Sequence, residues 1–148
     1  MECKMVKKSF QVVGIKGTGL YANFGIEVPG LAQQLLSRLG EIEIHSGTEI
    51  ALFEPKRDED HIEGEYFVGV IVNEALKDVP VGMEYIEIAQ SYVTTKGNIN
   101  QLANLHNNLL TWVGEHGFKK DIAALIVETY LPMENGEEEV EIYLPVLI

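Results

Sequence analysis

Residues 31–41, LAQQLLSRLGE, and residues 105–115, LHNNLLTWVGE, are closely similar, and both have the leucine spacing of an amphipathic helix. Five positions are identical at an offset of 74 residues: Leu31/Leu105, Leu35/Leu109, Leu36/Leu110, Gly40/Gly114 and Glu41/Glu115. Amphipathic helices in general share leucines at spacings of three and four, so coincidence is one interpretation. The similar polar pairs Gln33/Asn107 and Ser37/Thr111 favour the other interpretation, an internal duplication.

The segments around the two helices have the same predicted order. In the first half we predict a strand at 10–15, a helix from about Pro29 to Gly40, and strands at 49–54 and 66–72. In the second half we predict strands at 85–89 and 92–94, a helix over about 98–116, and strands at 124–131 and 140–147. Pro29 suits the first turn of a helix, because a backbone N–H at that position would have no acceptor within the helix.

The repeated order predicts one α+β domain over residues 1–148, with pseudo-repeats at about 6–78 and 79–148. Each βαββ half alone would leave open strand edges and a thin core, so the halves are expected to pair. We therefore expect duplicated βαββ units with pseudo-twofold symmetry, forming an antiparallel sheet with helices on one side. A groove between the halves is the expected ligand site.

Composition limits the possible partners. Eleven Lys and Arg against 23 Asp and Glu give a net charge of −12, which disfavours direct binding to nucleic acid. Cys3 is the only cysteine, so neither a disulfide framework nor a thiolate zinc site is expected within the chain. No apolar stretch approaches the roughly 20 residues that span a bilayer. We expect a soluble, unprocessed, cytoplasmic protein with no membrane partner, no metal and no cofactor.

The C-terminal hairpin contains the strongest chemical signal. Asn135-Gly136 is a strong two-residue turn sequence, which would place Glu128 opposite Tyr143 and Tyr130 opposite Glu141. A longer loop would shift this register. Residues two apart share a face of a strand, so Glu128 pairs with Tyr130, and Glu141 with Tyr143, in either register.

A partly shielded patch of carboxylates and phenols attracts an organic cation. The carboxylate supplies Coulomb attraction, and each aromatic face adds roughly 0.5 to 2 kcal/mol. The alternative is an ordinary solvent face on which Glu and Tyr are cross-strand neighbours. The hairpin sequence alone leaves both interpretations open.

Short motifs over nearly the whole chain resemble the GyrI-like effector-binding superfamily. In chain order they are VVGI at 12–15, VPVGM at 79–83, a Lys-Gly loop at 96–97, LLTWVGEHG at 109–117, VETYLP at 127–132 and VEIYLPV at 140–146. The family includes the ligand-binding domains of AraC-type and MerR-type multidrug regulators, DNA gyrase inhibitory protein and stand-alone integron-associated proteins. The resemblance implies paired βαββ units around a groove for amphipathic, often cationic aromatic molecules.

The resemblance also implies positions for the binding residues. Its pocket glutamate corresponds to Glu128, within the motif that continues to Tyr130, and its pocket tyrosine corresponds to Tyr143. Glu141 joins this patch through the hairpin, and Glu54 is expected as the symmetric mate of Glu128. Candidate walls are Tyr21, Phe24, Tyr92 and Trp112, with core packing favoured for Trp112. Lys96 stands where many members have a histidine or an aromatic residue, and we expect it in solvent.

Three functions are compatible with these observations. The first is a stand-alone protein that senses or sequesters cationic or amphipathic aromatic compounds, with a role in transcription regulation. The second is hydrolysis of electrophilic cyclopropane-containing natural products, which some GyrI-like proteins catalyse with a pocket glutamate. Glu128 would be the catalytic residue of such an enzyme and would act as a general acid or base. The third is an acidic protein-interaction or inhibitor module.

Overall fold

Two βαββ units follow one another in the computed structural model, which describes residues 2–42, 45–134 and 136–147. The first unit consists of β1 (Lys4–Leu20), α1 (Phe24–Ser37), β2 (Glu49–Phe53) and β3 (Glu63–Ile71). The second consists of β4 (Glu84–Asn98), α2 (Leu102–Glu115), β6 (Ile126–Pro132) and β7 (Glu138–Leu147), with the two-residue β5 (Lys119–Lys120) inserted after its helix. The predicted α+β fold of duplicated βαββ units is confirmed.

Every strand pair is antiparallel, and the strand order is β4-β1-β3-β2-β6-β7-β5. Because β4 also pairs with β7, six of these strands form a closed circuit. The long β1 is shared, since its first part pairs with β4 and its last part with β3. The circuit protects the strand edges that each unit alone would expose.

Side chains alternate between the two faces of the strands. One face closes over a helix-free cluster of buried residues: Phe10, Val12, Ile50, Leu52, Phe67, Tyr92, Val127 and Tyr143. Both helices lie on the opposite face, where α1 packs through Leu35 and α2 through Leu105 and Leu109. Neither helix, nor any other within the described ranges, is long and apolar enough to cross a membrane.

The helices correspond at a different offset from the one in the sequence. They begin 78 residues apart, at Phe24 and Leu102, and end 78 apart, at Ser37 and Glu115. The offset of 74 was therefore wrong by four residues. A helical turn contains 3.6 residues, so a shift of four leaves the leucines on the same face and gives an equally good match.

Three further boundaries differ from the predictions. Helix α1 begins five residues before Pro29, because the 3-10 turn Tyr21–Asn23 leads directly into it, and it ends before Gly40. The strands predicted at 85–89 and 92–94 form the single strand β4. A 3-10 turn, Ile99–Gln101, occupies the predicted start of the second helix.

The register of the C-terminal hairpin differs from the tight-turn prediction by one residue. Tyr143 lies opposite Val127, and Glu128 lies opposite Ile142. Strand β6 ends at Pro132 and β7 begins at Glu138, so five residues connect them, and the backbone N–H of Met133 donates to the carbonyl oxygen of Glu137 at 2.8 Å. Asn135 itself lies outside the described residues. A slip of one residue exchanges the faces, which places Tyr143 and Glu141 away from Glu128.

Tyr92 provides a stability prediction. Its side chain is fully buried, burial raises its pKa from 10 to about 12, and its hydroxyl contacts no hydrogen-bond partner among the described residues. A raised phenol pKa gives stability that is complete below pH 10 and lost as the pH rises to about 12. Between pH 10 and about pH 12, the free energy of unfolding of Tyr92→Phe should fall by about 2 kcal/mol less than that of the wild type, as measured by urea unfolding. Equal losses in both proteins would contradict this assignment.

Candidate ligand-binding cavity

A cavity of about 710 Å³ opens between the two helices, over the central strands β2 and β6. Helix α1 lines it from Phe24 to Leu35, and α2 lines it with Leu102 and His106. The floor contains the residues of β2 and β6 whose side chains point toward the helices. This volume is within the range of small-molecule sites in proteins.

Glu128 is the most enclosed charged group in the cavity wall. It is 5 % exposed, and both of its carboxylate oxygens have partners. The hydroxyl of Tyr130, two residues along β6, donates to Oε1 at 2.5 Å, and Nε2 of His106 lies 2.6 Å from Oε2. Strand alternation therefore brings the phenol to the acid, and α2 brings the imidazole from above. These contacts give both side-chain oxygens of Glu128 a polar partner inside a largely apolar cavity.

The phenol of Tyr130 is held in its protonated form. Burial raises its pKa, and the nearby carboxylate of Glu128 raises it further. The hydroxyl therefore remains a hydrogen-bond donor well above neutral pH. Tyr130 presents its ring to the cavity and its proton to the acid.

Three further carboxylates line the same cavity: Glu49, Glu54 and Glu138. Burial raises the pKa of Glu49, and the charge of Glu138 raises it further. Within the described ranges, neither of these two has an ion-pair partner. Glu54 differs, since its Oε2 lies 3.4 Å from Nε2 of His61 and 3.9 Å from the guanidinium of Arg57.

Aromatic side chains form the wall at the start of α1. The rings of Tyr21 and Phe24 lie 4.9 Å apart between centroids, and Phe53 lies 6.2 Å from Phe24. Tyr66 supports Phe24 from behind at 5.0 Å, and the hydroxyl of Tyr21 donates to the carbonyl oxygen of Glu54 at 3.0 Å. Because the 3-10 turn leads straight into α1, this wall stands beside β2.

The sequence matches the family model of the GyrI-like small molecule binding domain over residues 1–147. The chain belongs to the GyrI-like family. No curated protein sequence matches it.

Solved structures share this GyrI-like fold at low sequence identity. A structure of SAV2435 bound to tetraphenylphosphonium has a TM-score of 0.72 and 16 % identity, covering 99 % of this chain and 94 % of that chain. The EcmrR C-terminal domain has a TM-score of 0.65 and 16 % identity, with 99 % of each chain covered. A hydrolase from Listeria innocua has a TM-score of 0.61 and 12 % identity, covering 99 % of this chain and 92 % of that one.

Five of the site residues expected from the sequence surround the cavity of this GyrI-like chain: Glu128, Tyr130, Glu54, Tyr21 and Phe24. Four lie elsewhere. Tyr143 and Tyr92 belong to the buried cluster on the helix-free face, and Glu141 is hydrogen-bonded to Tyr143. Trp112 stacks on His116 at 3.8 Å and packs against the core under α2. Lys96 is exposed and lies opposite Glu141 on the neighbouring strand.

Among the acidic, histidine and aromatic residues of the cavity wall, four were not expected from the sequence: His106, Glu49, Phe53 and Glu138. Each had a positional signal. His106 follows Leu102 by one helical turn, so the two share a helix face. Glu49 and Phe53 are four residues apart on β2, so their side chains share one face of the strand. In the observed register, Glu138 lies on the same face of the sheet as Glu128. Metal-ligand spacing among histidines does not reveal a histidine that contacts a carboxylate.

Proposed function

We propose that this chain binds amphipathic organic cations in the cavity between its helices. The observation that carries the proposal is the buried Glu128 carboxylate in a wall that is otherwise mostly aromatic and aliphatic. A carboxylate shielded from water attracts a cation more strongly than an exposed one. The apolar walls favour a ligand whose charge is surrounded by hydrophobic groups.

The charge balance of the cavity supports a cation over an anion. Four glutamates line it, whereas Lys56 is the one lysine in its described wall, and that side chain is exposed. Tyr21, Phe24 and Phe53 offer ring faces for cation–π contact. The net charge of −12 also attracts cations at long range. Tetraphenylphosphonium on SAV2435 is the kind of ligand that this arrangement suits.

Binding of tetraphenylphosphonium tests the proposal directly. Calorimetric titration of the wild-type chain should give a micromolar dissociation constant, about −8 kcal/mol. Triphenylphosphine oxide, which is neutral and carries similar phenyl groups, should bind at least about tenfold more weakly because it lacks the Coulomb term. Equal affinity for the two compounds would contradict recognition by charge.

The biological role that we propose is sensing or sequestering such compounds in the cytoplasm. The likeness to the EcmrR C-terminal domain is compatible with a link to transcription regulation through a separate partner. Direct contact with nucleic acid is disfavoured by the net charge of −12, which repels phosphates. The single cysteine suits a reducing compartment.

Hydrolysis is the second candidate, and the contact between His106 and Glu128 favours it. In this reaction Glu128 takes a proton from water, and the water oxygen attacks an electrophilic cyclopropane carbon. The ring carbon–carbon bond breaks, and its electron pair takes up a proton. Many products per protein molecule, lost in Glu128→Gln, would support this function. Stoichiometric binding without product would exclude it for the compound tested.

A further inference from the structure

A second cavity of about 220 Å³ adjoins the first beneath α2. The two cavities share four wall residues: Pro55, Lys56, His106 and Ile126. We name the smaller cavity the annexe. His106 lines the annexe and also contacts Glu128, so only this side chain lies between the annexe and the buried acid.

The remaining wall of the annexe is mainly apolar. Leu109 and Leu144 are buried at its base, whereas Leu110 and Ile122 stay 45 % and 49 % exposed. Lys120, Asp121 and Pro145 complete the wall. Large apolar side chains that remain half-exposed in a concave surface gain stability when an apolar group covers them.

We propose that the annexe holds an apolar limb of the ligand whose cationic head lies at Glu128. The inference rests on the proposed function and narrows it to elongated amphipathic cations. The shared wall carries the inference, because an apolar group extending past His106 from the main cavity would enter the annexe, which Leu110 and Ile122 line. A compact cation fills only the larger cavity.

Two phosphonium probes with the same head test this inference. Methyltriphenylphosphonium lacks a limb, and hexyltriphenylphosphonium carries five additional methylenes. Each buried methylene contributes about fourfold in affinity, so the hexyl compound should bind at least about tenfold more tightly to the wild type. Leu110→Ser and Ile122→Ser should each remove most of this difference and change the affinity for the methyl compound by less than about twofold.

Leu36→Ser is the matched control. Leu36 is 41 % exposed on α1 and lines neither cavity, so both probes should bind this variant as they bind the wild type. An undiminished preference for hexyl in both annexe variants, with the methyl compound still bound, would overturn the annexe alone. Failure of the methyl compound to bind the wild type would overturn the proposed function together with this inference. Melting temperatures confirm that each variant is folded.

Discussion

Replacing Glu128 by glutamine is expected to lower the affinity for tetraphenylphosphonium by about 10- to 100-fold. The substitution keeps the shape of the side chain and removes its charge. Glu128 is 5 % exposed, so water screens its attraction for a cation weakly. Calorimetry at neutral pH measures the loss, and urea unfolding of the same variant reports whether the fold survives.

Two other glutamates serve as matched controls for charge. Glu54→Gln removes a cavity carboxylate that already contacts His61 and Arg57, so the affinity should fall by less than about threefold. Glu141→Gln alters the opposite face of β7 and should change the affinity by less than about twofold. A loss as large in Glu141→Gln as in Glu128→Gln would show that the net charge of the protein, and not the cavity acid, attracts the ligand.

Replacing His106 by leucine tests whether the imidazole or the charge of Glu128 holds the ligand. His106 contacts Oε2 of Glu128, which is an oxygen that the proposed cationic ligand would approach. Its removal should leave the cation bound at least as tightly as in the wild type, because the carboxylate loses a competing donor. A loss equal to that of Glu128→Gln would indicate that the imidazole, and not the charge of Glu128, organises the site.

The fold follows from patterns that survive small errors of alignment. The repeated leucines predicted two helices and two related halves, although the offset of 74 was one helical turn short of the observed 78. The fold prediction is the same at either offset, because both place leucines on the buried face of the helix. The strand order and the closing pair between β4 and β7 depend on long-range pairing, which local periodicity does not determine.

The site is less predictable than the fold, because successive side chains of a strand point to opposite faces of the sheet. Glu128 and Tyr130 are two apart on one strand, so their common face was independent of the hairpin register. The position of Tyr143 did depend on it, and a five-residue connection in place of a tight turn moved its ring to the other face. His106 lies on a different element from Glu128, so no local pattern in the sequence reveals the contact between them.

Replacing Gly14 by alanine is expected to destabilise the fold by about 3 kcal/mol or more. Gly14 lies opposite Gly69 where β1 passes from its pairing with β4 to its pairing with β3. A Cβ at position 14 would lie 2.0 Å from the carbonyl oxygen of Val68 and 2.6 Å from the Cα of Gly69. Both contacts involve backbone in a continuous ladder, so no rotamer change relieves them.

The same substitution links stability to the cavity, because Val68 and Gly69 are part of the cavity wall. Thermal unfolding should show a melting temperature lower by roughly 10 °C, and tetraphenylphosphonium affinity should fall in the fraction that stays folded. Gly30→Ala is the matched control, since a Cβ there meets open space on α1 and a helix gains about 0.5 to 1 kcal/mol from alanine. A melting temperature for Gly14→Ala equal to that of the wild type would show that β1 and β3 can separate at this point. The closed circuit of strands would then not require a glycine at their crossing.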